Sequence, residues 1–80
     1  LRGKDLADIA RQALLNTARR LGTFTASQAF YVSHISEIYR FTAGYSHDFC
    51  MAALRSLISE GLVIKHGWTR GGSEAYKFVG

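Results

Sequence analysis

The sequence predicts an α+β domain: three or four helices with a short first strand among them, then a C-terminal two-stranded β-hairpin. Three observations predict it. Apolar residues recur at three-and-four spacing over residues 4–21 and again over 47–60. Two β-rich runs, 62–68 and 74–79, flank Thr69-Arg70-Gly71-Gly72-Ser73, whose glycine pair supplies the positive φ of a hairpin turn. The chain has 80 residues, 48% hydrophobic and 20% charged, with no proline, repeat or linker, which fits a single folded domain over residues 1–80.

The first helix takes its stripe from Leu6, Ile9, Ala10, Ala13, Leu14, Thr17, Ala18 and Leu21. Asp5 and Asp8 in its first turn and Arg19 and Arg20 in its last suit the helix dipole, and Gly22 occupies the stop position. Thr23-Phe24-Thr25 is a short extended segment. Thr25 with Gln28 forms a Thr-x-x-Gln capping box that starts a helix at Ala26, carrying Ala29, Phe30 and Val32. Between Ser33 and Phe41 the reading is two short helices broken near Ser33 or His34, the second burying Ile35, Ile38 and Tyr39. Thr42-Ala43-Gly44-Tyr45 reads as a turn and Ser46 as an N-cap. The next helix buries Cys50, Ala53, Leu54, Leu57 and Ile58, and Gly61 ends it. In the first hairpin strand Val63 and Ile64 alternate, so one face is core and the other open. Trp68 is expected to pack on Tyr76 across the hairpin rather than to stack on a base.

Charge narrows the partners. Ten Lys and Arg against six Asp and Glu give +4 and a pI near 9.6. A small basic domain is drawn to polyanions, meaning nucleic acid or an anionic membrane surface. No apolar run is long enough to span a bilayer, and the N-terminal residues lack the apolar core of a signal peptide. The absence of a starting Met is expected of an excised domain or a processed chain. The single cysteine, Cys50, offers neither an internal disulfide nor a Cys-rich zinc site, which suits a reducing compartment. That compartment is expected to be the cytoplasm, on the nucleoid, in a prokaryote, or the nucleus in a eukaryote.

Three stretches carry a family resemblance. Ala53-Leu54-Arg55-Ser56-Leu57-Ile58-Ser59-Glu60-Gly61-Leu62-Val63 resembles the end of the third helix and the first wing strand of winged helix-turn-helix domains. The Gly-rich hairpin ending in Tyr76-Lys77-Phe78 resembles their wing. Thr23-Phe24-Thr25 and the capped helix after it lie where such domains have their first strand and second helix. The resemblance covers nearly the whole chain and identifies the superfamily, not a subfamily. One departure is the stretch 33–45, where many bacterial members have a turn of a few residues. The resemblance implies sequence-specific binding of double-stranded DNA, in transcription or replication control, with no enzymatic activity and no cofactor.

The residues supply their own argument for that function. A helix fits the major groove of B-DNA, and its first turns reach base edges. With Cys50, Ala53, Leu54 and Leu57 turned inward, His47, Asp48, Met51, Ala52 and Arg55 face outward. Arg55 suits guanine O6 and N7, Asp48 suits cytosine N4 or simply the helix N-terminus, and Met51 and Ala52 suit a thymine methyl. Ser46 and His47 suit phosphate or bases. The wing offers Lys65, His66, Arg70 and Lys77, with Arg70 at the tip for the backbone or minor groove. Thr25 and Ser27 suit phosphate through side-chain and backbone N–H groups, as does Arg40 if its segment faces DNA. Arg11, Arg19 and Arg20 are expected only to solubilise the first helix.

Competing readings are weaker. His47 and Cys50 have a metal-compatible spacing but lack a second pair, and the thiol belongs to the apolar face. Arg70-Gly71-Gly72-Ser73 is no P-loop, and no nucleophilic site or small-molecule substrate is indicated. Phe30, Tyr31, Tyr39, Phe41 and Tyr45 read mainly as core, with an exposed patch for a protein partner or a homodimer as the alternative. That alternative defines the rival function, a protein-docking or dimerisation module, favoured by Arg55 being opposed by Asp48 and Glu60. Single-strand or RNA binding is disfavoured by aromatics at core spacing.

Overall fold

A computed structural model describes residues 3–38, 40 and 46–80. In chain order the elements are α1 (Gly3–Leu21), β1 (Thr23–Thr25), α2 (Ala26–Val32), α3 (Ile35–Ile38), α4 (Ser46–Ser59), β2 (Val63–Trp68) and β3 (Glu74–Phe78). The predicted turn at 42–45 lies outside the described residues, as do Tyr39 and Phe41. Ser46 is the first residue of α4, one step inside the cap position expected for it.

The antiparallel sheet runs β1-β3-β2, so the last strand is central and ties the hairpin back to the first half of the chain. Phe24 opposes Tyr76, and their rings stack with centroids 6.0 Å apart. The backbone N–H of Phe78 donates to Gly22 O at 2.7 Å, and the Arg19 guanidinium lies over the Phe78 ring at 5.9 Å. Arg19 is therefore a packing residue as well as a solubilising one.

The core forms where α1 and α4 meet the sheet and the shorter helices. Ala10, Leu14, Leu15 and Ala18 from α1 and Cys50, Ala53, Leu54 and Leu57 from α4 are buried together with Phe24, Ala29, Ile35, Val63 and Tyr76. The α1 stripe differs at its edges from the expected one. Ile9 is 39% exposed and Leu21 38%, whereas Leu15 is buried. Ile9 and Leu15 lie on opposite flanks of the stripe, and the core covers the Leu15 flank; Leu21 is the last residue of the helix. Thr17 is buried with its hydroxyl donating to Ala13 O at 2.9 Å, which satisfies it within the helix.

The two breaks have local causes. His34 takes φ 57°, separating α2 from α3 at the expected position. At the end of α4, the N–H of Leu62 reaches Leu57 O and that of Gly61 reaches Ile58 O, each at 3.0 Å, the paired closure of a Schellman motif. The capping box at α2 is present as read: Gln28 N donates to Thr25 Oγ1 at 3.2 Å, and Thr25 N donates to Gln28 Oε1 at 2.9 Å.

The hairpin corrects two expectations. Only Gly72 of the glycine pair has positive φ, at 84°; it follows a tight turn in which its N–H donates to Thr69 O. Trp68 does not pack on Tyr76: it opposes Glu74 and is 71% exposed, while Tyr76 is opposed by Lys65 and turned toward Phe24. A register shift between Lys65 and Trp68 puts Trp68 on the same face as Tyr76 but opposite Glu74, two residues further along β3.

Candidate functional site

The site begins with how α4 is held. Cys50, Ala53, Leu54 and Leu57 fall on one side and are sealed by α1, α2 and α3. Burial pushes the Cys50 thiol up to about 11, so it stays protonated near neutral pH and is no nucleophile. The other side is exposed at His47, Asp48, Ala52 and Arg55, while Ser46 and Met51 are half-buried. Met51 packs against the core, so it is less free than the outward position expected for it.

Two of the depressions along this helix hold several candidate residues each. One, of about 380 Å³, is shallow and lined by Asp48, Phe49, Ala52 and Arg55. The other, of about 280 Å³, lies between α2 and α4 and brings Ser27, His47 and Met51 together with Phe30 and Tyr31. The His47 ring leans on Phe30, with centroids 5.7 Å apart, and Tyr31 is 70% exposed at the same groove. The aromatic group thus divides: Phe30 is half-buried, while Tyr31 is largely in solvent, as the exposed-patch alternative has it.

Of the two acids expected against Arg55, Asp48 lines the same depression, but Glu60 is engaged elsewhere. Both carboxylate oxygens of Glu60 accept from Arg11 of α1, Nη2 at 2.6 Å and Nε at 2.9 Å, and the Ser56 hydroxyl adds a contact at 3.3 Å. The Arg11 hydrogen bonds hold the Glu60 carboxyl below its ordinary range and raise the guanidinium in turn. Arg11 is therefore a structural partner of the α4 terminus, not merely a solubilising charge. Among the described residues, no hydrogen bond or ion pair engages Arg55.

The remaining candidates sit on other elements. Lys65 reaches Glu74 at 3.9 Å; His66, Arg70 and Lys77 are exposed on the hairpin. Lys77 opposes Thr23 and Ile64 on the open face of the sheet, while Val63 is buried on the other, as the alternation predicts. Ser27 is exposed in the first turn of α2. The N–H of Thr25 is engaged by Gln28, so its hydroxyl hydrogen is what it has left to donate. Arg40 is exposed in the turn after α3. Sequence reasoning missed Phe49 as a lining residue, because an apolar ring beside the α4 stripe reads as core.

Among the described residues, no cluster of three or more His, Cys, Asp or Glu could hold a metal, and no helix is long and apolar enough to cross a membrane. Comparison of the chain with protein-family models, curated proteins and solved structures finds no match.

Proposed function

We propose that this chain is a winged-helix domain that binds double-stranded DNA sequence-specifically, in transcription or replication control. In this reading α4 enters the major groove, and the β2–β3 hairpin lies on the backbone or in the minor groove. The observation that carries it is the two-sidedness of α4: one side is sealed by the core, and the other presents an exposed Arg55 with no ion-pair partner among the described residues. A free guanidinium on the outer side of a rigid helix is the group that reads guanine bidentately. The order of elements and the β1-β3-β2 sheet support the same reading. The domain needs no cofactor and acts on no small-molecule substrate.

The test is binding to a panel of duplexes, followed by fluorescence anisotropy. Affinity should fall with salt, with a log–log slope of about 0.9 per phosphate neutralised. Arg55→Ala should cost about 1–3 kcal/mol on the preferred duplex and flatten the preference, whereas Arg70→Ala should weaken all duplexes alike. Affinity independent of salt, with both variants binding like the parent, overturns the reading.

One observation favours a second reading, a protein-docking or dimerisation module. Tyr31 stands exposed beside the α2–α4 groove. Sedimentation with and without duplex separates the two: self-association with no duplex-bound species favours docking.

A further inference from the structure

We propose that Trp68 is an aromatic wedge that the β2–β3 hairpin presents to DNA, stacking on a base at an opened step while neighbouring cations hold phosphates. This rests on the DNA-binding reading above.

The first observation is exposure. Trp68 is the only tryptophan of the chain and is 71% exposed, although an indole gains more from burial than almost any other side chain. The second is a device that aims it. From Lys65 to Trp68 there are three steps along β2, but from Tyr76 to Glu74 there are two along β3, so β2 holds one extra residue. Gly67, at φ 83°, stands at this bulge. In an unbroken ladder Gly67 would oppose Glu74, and Trp68 would share the face of Ile64. The bulge moves Trp68 to the face of Lys65 and Glu74, away from exposed Ile64.

The third observation is charge. Lys65 shares the face of Trp68, Arg70 lies two residues beyond it, and Lys77 stands on the opposite face; against these three cations the hairpin has one acid, Glu74, which accepts from the Tyr76 hydroxyl at 3.1 Å and lies 3.9 Å from Lys65. The ribbon is complementary to a polyanion. The sequence neighbours of the indole are His66, Gly67, Thr69 and Arg70, all exposed. An isolated ring among polar residues and glycine lacks the apolar area that protein docking uses, but it suffices for stacking, because every base has a π-face. A wedge of this kind acts most readily where a step is deformable or already unstacked.

The experiment uses two end-labelled duplexes of equal length, one fully paired and one with a single unpaired central thymine. Anisotropy of the label reports binding; emission of the single tryptophan reports its own contact. The parent protein should bind both, with Trp68 emission quenched, and should prefer the duplex with the unpaired base. Trp68→Ala should lose that preference by about fivefold or more, and Trp68→Phe should keep most of it. Arg55→Ala should weaken both duplexes and leave the preference intact. Binding with unchanged emission, and with Trp68→Ala matching the parent on both duplexes, overturns the wedge and leaves the DNA-binding reading standing. Failure to bind either duplex overturns both. Quenching that grows with protein concentration alone assigns the ring to a contact between copies and overturns the wedge.

Discussion

Arg11 and Glu60 show how a single pair changes the meaning of a surface. In the sequence they stand 49 positions apart, and periodicity places neither against the other. In the fold their bidentate pair ties α1 to the end of α4 and engages Glu60 with a cation other than Arg55. The Arg11 hydrogen bonds depress the Glu60 carboxyl, so the folded form is favoured by ionised Glu60. That contribution is present above the ordinary glutamate range and is lost as pH falls through the depressed value. Melting temperature followed from pH 7 to pH 2 should therefore fall less steeply for Glu60→Gln than for the parent; coincident profiles contradict the pairing. The effect is small because both partners are partly solvated. Residue chemistry that depends on local neighbours was readable beforehand, as with buried Cys50 and the alternation of Val63 and Ile64. Contacts between distant residues, such as Arg11 with Glu60 and Arg19 with Phe78, were not.

At the scale of elements, the capping box is the clearest case of local sequence fixing local structure. Thr25 and Gln28 bond reciprocally at the entry to α2, which sets the angle at which this short helix leaves β1 and meets α4. A seven-residue helix has little intrinsic stability, so the cap matters to it. Thr25→Ala should lower unfolding free energy by about 1 kcal/mol in urea titration, with Thr25→Ser retaining most of it. An Ala variant as stable as the parent contradicts the cap's role. The α4 stripe was legible because its apolar positions repeat over a full length of helix. The edges of the α1 stripe were not, since Ile9 and Leu15 are equally apolar and only the neighbouring elements decide which is covered. The hairpin was legible as a hairpin but not in register. One added residue at Gly67 reverses the face that Trp68 occupies, and a two-residue period carries no sign of that insertion.

For the molecule as a whole, the sheet order and the two-sided helix combine into one arrangement. The long axis of 36 Å is close to one turn of B-DNA, about 34 Å, so a helix in one groove and a ribbon beside it fall within the reach of a single domain. In the proposed function, the net charge of +4 would supply long-range attraction without selecting a site, and the outward residues of α4 would supply the selection. The class of fold and the helix that carries the candidate residues were legible from composition, period and turn residues. What each outward side chain is free to do required the packed structure, which engages Glu60, partly buries Met51 and frees Trp68. The central claim is that the outward side of α4 and the β2–β3 hairpin form one DNA-contacting surface. Its most direct test is amide chemical-shift mapping by NMR during titration with duplex DNA. The account predicts perturbations concentrated at residues 46–55 and 65–77, with the exposed side of α1 unmoved. Perturbations confined to α1, or a spectrum unchanged at saturating duplex, contradict it.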